Sequence, residues 1–128
     1  MTVTVTVKGD KELQRKLSRL KPKHLTGALK VMGDHVVTKV RPYPPQPSTT
    51  YMRTGILGDG WKVKPKKKDF AVQVSNPTPY GHYVQSDDRQ AGIHRSTGWK
   101  RLKETTLKEM DELVKILKRQ VDKILEGR

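Results

Sequence analysis

Alternation opens the chain. From Thr2 to Val7 threonine alternates with Val3, Val5 and Val7, and because all six are β-branched the segment is predicted to be a strand with one apolar face. Gly9 breaks it, and Asp10 is placed to cap the helix that follows. Leu13, Leu17 and Leu20 then recur at helical spacing, with Pro22 expected to stop that helix. A second helix is predicted from about Leu25 to Val40, its stripe being Leu25, Leu29, Met32, Val36 and Val40, closed by Pro42. His35 flanks that stripe.

The pattern then loses its period. Pro42, Pro44, Pro45 and Pro47, with Tyr43 among them, predict an extended connector or an arm reaching to a neighbour. Residues 51–61 follow with three glycines, so the backbone there must turn or be closely approached. Period two returns at Trp61 and Val63 and again at Phe70, Val72 and Val74, predicting a β-hairpin whose tip is Pro65 to Asp69. Asn76-Pro77-Thr78-Pro79 ends it as a turn. Tyr80, Tyr83 and Val84 form a short apolar patch, Ser86 to Gln90 a polar loop, and His94 to Trp99 an irregular stretch.

From Lys100 to about Glu126 the helical period is the clearest in the chain. Leu107, Met110, Val114, Leu117, Val121 and Ile124 keep a 3,4 spacing, and Leu102, Leu113, Ile116 and Leu125 widen the stripe. So wide a stripe favours docking on the chain's own core, with a helix-to-helix subunit contact as the alternative. The whole predicts an α+β fold: a small antiparallel sheet packed against two N-terminal helices and a long C-terminal helix. A single domain over 1–128 is expected, with 41–60 as its proline- and glycine-rich arm or loop and 100–126 as the C-terminal helix.

Composition narrows the function. With 27 Lys+Arg against 13 Asp+Glu the net charge is +14, suited to a polyanion or an acidic protein surface. The excess sits ahead of the last helix: residues 101–128 hold eight basic against six acidic residues, whereas residues 41–100 hold ten against four. Without cysteine there is no disulfide, thiolate zinc site or cysteine nucleophile, which fits a reducing compartment. No apolar run approaches the roughly 18 residues of a membrane span, and no signal peptide is read at the N-terminus. A soluble protein made and used in a cytoplasm is expected, with no membrane partner.

Candidate chemistry is sparse. His82 and His94, with Asp87 and Asp88 between them, can be drawn as a two-histidine, one-carboxylate site, but the spacing matches no helical metal pair. Asp87 and Asp88 are sequence neighbours in a loop and should diverge, unlike carboxylates paired for acid/base work. No enzyme, metal or cofactor is expected. Lys62, Lys64, Lys66, Lys67 and Lys68 form the densest basic cluster: either a polyanion contact or a solvated tip that keeps an edge strand from pairing. Trp99, Tyr80 and Tyr83 read either as core or as interface.

Two motifs stand in order. The first is Tyr51-x-Arg53-Thr54-Gly55-x-Leu57-Gly58-x-x-Trp61 after the proline run; the second is Tyr80-x-x-Tyr83-Val84-Gln85, then Gln90-Ala91, His94 and Gly98-Trp99. Together they resemble the neck or tail-completion proteins of long-tailed bacteriophages, the gene-product-ten-like tail-component family, across roughly residues 5 to 125. The chain departs from many relatives after Tyr83-Val84, where they carry an acidic residue and Gly-Thr. The resemblance implies a non-enzymatic structural and assembly protein of the virion, formed in the host cytoplasm, without cofactors. It would act as a homo-oligomeric ring subunit at the head–tail junction, beside head-completion, tail-terminator or tail-tube proteins and with DNA in the channel. Candidate subunit or partner contacts are Tyr43, Tyr51, Arg53, Leu57, Trp61, Tyr80, Tyr83, Gln85, His94 and Trp99. The runner-up is a basic nucleic-acid-binding protein using the lysine hairpin, and a third reading is a metal-dependent nuclease around His82, Asp87 and His94.

Overall fold

The computed structural model describes residues 1–44, 56–78, 81–92, 95 and 98–127, and only the backbone of Ile56 and His82. Three antiparallel strands, β1 (Thr2–Thr6), β2 (Lys62–Lys66) and β3 (Ala71–Ser75), form a sheet in the order β1-β3-β2. Register places Val3 and Val63 on either side of Val74, and Val5 and Pro65 on either side of Val72. Those six side chains share one face, because side chains two apart along a strand point the same way. The α+β architecture is the predicted one.

Helices from both halves of the chain cover that apolar face. α1 (Lys11–Ser18) and α2 (Pro22–Val40) follow β1; the short α3 (Ile56–Asp59) precedes β2, and α4 (Gly81–Gln85) follows β3. The C-terminal segment is two helices, α5 (Leu102–Lys108) and α6 (Met110–Gly127). α2 packs across β2 and β3 on one side and against α6 on the other, and α6 also meets α1. Leu29, Met32, Val36 and Val40 of α2 thus share a core with Val72 and Val74 of the sheet and Leu113, Leu117 and Val121 of α6. Full burial of each such side chain contributes about 1.5–3 kcal/mol.

Local chemistry explains the helix starts. Asp10 caps α1, its Oδ1 accepting from the Leu13 amide at 3.0 Å. Pro22 does not merely follow α1, which has ended at Ser18; it is the first residue of α2. There its fixed φ suits the helix and its missing N–H leaves no donor unpaired. The second helix therefore starts three residues earlier than the apolar stripe predicts.

The hairpin and the last helix also depart from expectation. Pro65 lies inside β2 rather than in the turn, tolerable because β2 is an edge strand. The turn is a 3-10 segment, Lys67–Asp69, which Phe70 leaves with φ 48°, so Phe70 precedes β3 instead of starting it. In the C-terminal segment Glu109 interrupts the helix, with φ −97° and ψ 4°. Its carboxylate sits 2.8 Å from His35 Nε2 and 4.0 Å from Lys39 Nζ on α2. Leu102, Leu113, Leu117 and Val121 face inward, while Leu107, Met110 and Val114, half of the expected stripe, face out.

Candidate assembly surfaces

The two sequence motifs meet in space. The Tyr43 hydroxyl accepts a hydrogen bond from the Gly58 amide at 2.9 Å, and the Tyr43 and Trp99 rings lie 4.8 Å apart at 56°, a tilted aromatic pair. Leu57 is 2% exposed, and a Cβ built on Gly81 would lie 3.3 Å from its Cδ1. The Leu57 carbonyl accepts from Asn76 Nδ2 at 2.7 Å, and Asn76 Oδ1 accepts from the Thr78 amide at 3.0 Å. Gly60 is required here: a Cβ on it would stand 2.6 Å from Thr78 Oγ1 and 2.7 Å from Asn76 Oδ1.

Two glutamines tie this junction to the core. Gln85 Nε2 donates to the carbonyls of Val40 at 2.8 Å and Lys100 at 3.0 Å. Gln90 Nε2 donates to those of Val84 at 2.8 Å and Trp99 at 3.0 Å. Gln85 is fully buried, so its side chain offers no surface to a partner in this conformation; it joins the end of α2 to the segment entering α5. Leu57 is equally internal. Trp61 is half-buried against the core, with no partner for its buried Nε1 among the described residues. Tyr51, Arg53, Thr54, Gly55, Tyr80 and His94 lie outside the described residues, as does the side chain of His82.

The carboxylates near the second motif serve structure. Asp87 accepts from the amides of Lys103 at 2.7 Å and Glu104 at 2.9 Å, satisfying the open N-terminus of α5. Asp88 instead accepts from the Ser86 hydroxyl, so the two side chains diverge as expected. Hydrogen bonds from Lys108 and then Arg101 hold the Glu104 carboxyl below its ordinary value of 4.5. No cluster of three or more metal-ligating side chains occurs among the described residues.

Two surfaces remain outward-facing. One is apolar: Leu107, near the end of α5, is 62% exposed, and Met110 and Val114, four residues apart on α6, are 37% and 40% exposed. Tyr83, on α4, is 58% exposed. The other is the sheet face turned away from the helices. Register arranges it in three rows: Thr2, Thr4 and Thr6; Ser75, Gln73 and Ala71; Lys62, Lys64 and Lys66. Lys67 and Lys68 extend the third row into the turn. The sequence pattern places Lys66 in the hairpin tip; the register instead puts it on the strand, in line with Lys62 and Lys64 and beside a row of hydroxyls.

Gln85 and the capping carboxylates thus bind the chain's own backbone, while Leu107, Met110 and Val114 stay exposed. The sequence matches the family described as "Bacteriophage HK97-gp10, putative tail-component" over residues 10–85, and the chain belongs to that family. It is thereby a phage tail component, a structural protein of the virion whose company is other phage structural proteins. No curated protein and no solved structure shows a significant match to it. No helix among the described residues is long and apolar enough to cross a membrane.

Proposed function

We propose that the chain is a non-enzymatic ring subunit of the head–tail junction, a neck or tail-completion component that acts as a homo-oligomer. The observation that carries the reading is the stripe Leu107, Met110 and Val114, left outside a core that had room for its neighbours Leu113 and Leu117. Several large apolar side chains left exposed in one short segment call for a covering surface, and in a tail component the available cover is a neighbouring subunit.

A closed ring needs two different complementary patches per subunit. The stripe is one. The proline arm with the Thr54-Gly55 loop is the candidate for the other. Exposed Tyr83 is a further candidate contact. Head-completion, tail-terminator or tail-tube proteins would stack on the ring's two ends.

Light scattering tests this. Wild-type protein should form a ring-sized particle, and Leu107→Gln with Val114→Gln should dissolve it while changing subunit stability by about 0.5 kcal/mol or less, as exposed substitutions do. A particle untouched by that double substitution removes the stripe from the contact. Arg53→Ala with Trp61→Ala leaving assembly intact removes the loop.

A further inference from the structure

We propose that the open face of the sheet docks the phosphate backbone of duplex nucleic acid. The inference goes beyond the ring reading and does not depend on it, because a lone subunit carries the same face.

The three strands contain no carboxylate; Asp69 in the turn is the nearest acidic residue in sequence. Along β2, Lys62, Lys64 and Lys66 repeat every second residue, about 6.7 Å apart at strand rise. Eight other lysines and arginines among the described residues, including Lys16, Lys30, Arg101 and Lys118, are paired with carboxylates, and twelve scattered ones are not. None of the five lysines between 62 and 68 is paired among the described residues. Positive charge held without internal partners on a polar face is what a fixed row of phosphates neutralises, releasing its counterions.

The neighbouring rows fit the same ligand. Hydroxyls and amides, here Thr2, Thr4, Ser75 and Gln73, are the neutral groups that contact phosphate and sugar alongside lysine. At the turn end, a shallow cleft of about 370 Å³ is lined by Thr4, Thr6, Lys8, Lys66, Lys68 and Asp69, with Val7, Phe70 and Ala71 as its apolar part. Two other classes of ligand fit poorly. Protein interfaces are depleted in lysine and centred on large apolar or aromatic groups, and the only apolar residue in these three rows is the small, buried Ala71. Single strands are gripped by aromatic stacking, which the three rows cannot supply. The duplex backbone, read without sequence preference, is the remaining match.

The experiment is fluorescence anisotropy of a labelled duplex titrated with the full chain over a salt series. Because the whole protein is basic, comparison between charge-matched variants decides. Lys62→Gln/Lys64→Gln/Lys66→Gln should weaken binding at least tenfold at low salt. It should also lower the slope of log affinity against log salt by about 2.7, at roughly 0.9 per lost phosphate contact. Lys21→Gln/Lys115→Gln/Lys123→Gln, three exposed lysines off the sheet, should leave that slope nearly unchanged. Lys67→Gln/Lys68→Gln, outside the strands and so harmless to them, should lower it by about 1.8. Equal losses in the two triple variants overturn the proposal, as does absence of duplex binding at low salt. So do tighter binding to single strands of the same length and displacement of duplex by polyglutamate at equal charge.

Discussion

Two glycines in one helix should respond oppositely to the same substitution. Gly27 and Gly33 both lie inside α2. A Cβ on Gly27 meets nothing within 4 Å, whereas one on Gly33 would stand 2.4 Å from Val63 Cγ1 and 2.8 Å from Val72 Cγ2. Alanine in an open helical position gains about 1 kcal/mol over glycine. At Gly33 the same gain is opposed by an overpacking cost of about 1–3 kcal/mol. The higher figure applies, since valine has essentially one χ1 well and cannot swing its methyls aside. Gly27→Ala should therefore stabilise by about 1 kcal/mol, and Gly33→Ala should destabilise by about 1–2 kcal/mol. For a chain of this size that is a separation of roughly 5–12 °C in Tm, readable in urea and thermal melts followed by circular dichroism. Val63→Ala removes the nearest methyls, so Gly33→Ala should cost less in that background, with a coupling of about 1–2 kcal/mol. Should Gly33→Ala stabilise as much as Gly27→Ala, or the two effects at 33 and 63 simply add, the close helix–sheet contact is refuted.

Gln85→Glu keeps the shape but replaces the donor with an oxygen aimed at the Val40 and Lys100 carbonyls. It should destabilise by about 2–3 kcal/mol at neutral pH, from two lost hydrogen bonds and acceptors left unpaired, and protonation at low pH should restore part of it; a neutral effect in urea melts argues against the buried bridge. Asp10 bears on acid stability. The Leu13 amide, and beyond it Lys118, hold its carboxyl below the ordinary value of 3.8. Its contribution is therefore present above that value and is lost as pH falls through the depressed one in the folded chain. Asp10→Asn keeps the cap without the titration, so below about pH 3.8 wild type should lose stability faster than the variant, and parallel acid curves would exclude this cap as the source.

Much of the fold is legible along the chain. The valine alternation of β1, the leucine stripe of α1, that of α2 and the Asp10 cap depend on neighbours within a few residues, and each lies where local pattern put it. The two motifs could be read as motifs, though their candidate contact residues divide between surface and interior. Tyr83 is exposed, whereas Leu57 and Gln85 are spent inside. Nothing local distinguishes those outcomes, since a glutamine beside a tyrosine looks like surface until two carbonyls 45 and 15 residues away are brought against it.

The last helix shows the division most clearly. Its sequence determined that it would be helical and amphipathic, with apolar positions spread too widely to choose one inward line. Tertiary structure chose: with Glu109 against His35, 74 residues earlier, Leu113 and Leu117 lie inward and Leu107, Met110 and Val114 outside. Gly33 belongs to the same category, being an ordinary weak point in a helix until the sheet crosses it. Periodicity is a property of adjacent residues and can be read from them, whereas the choice among equally apolar faces is made by steric fit and polar pairing between segments distant in sequence.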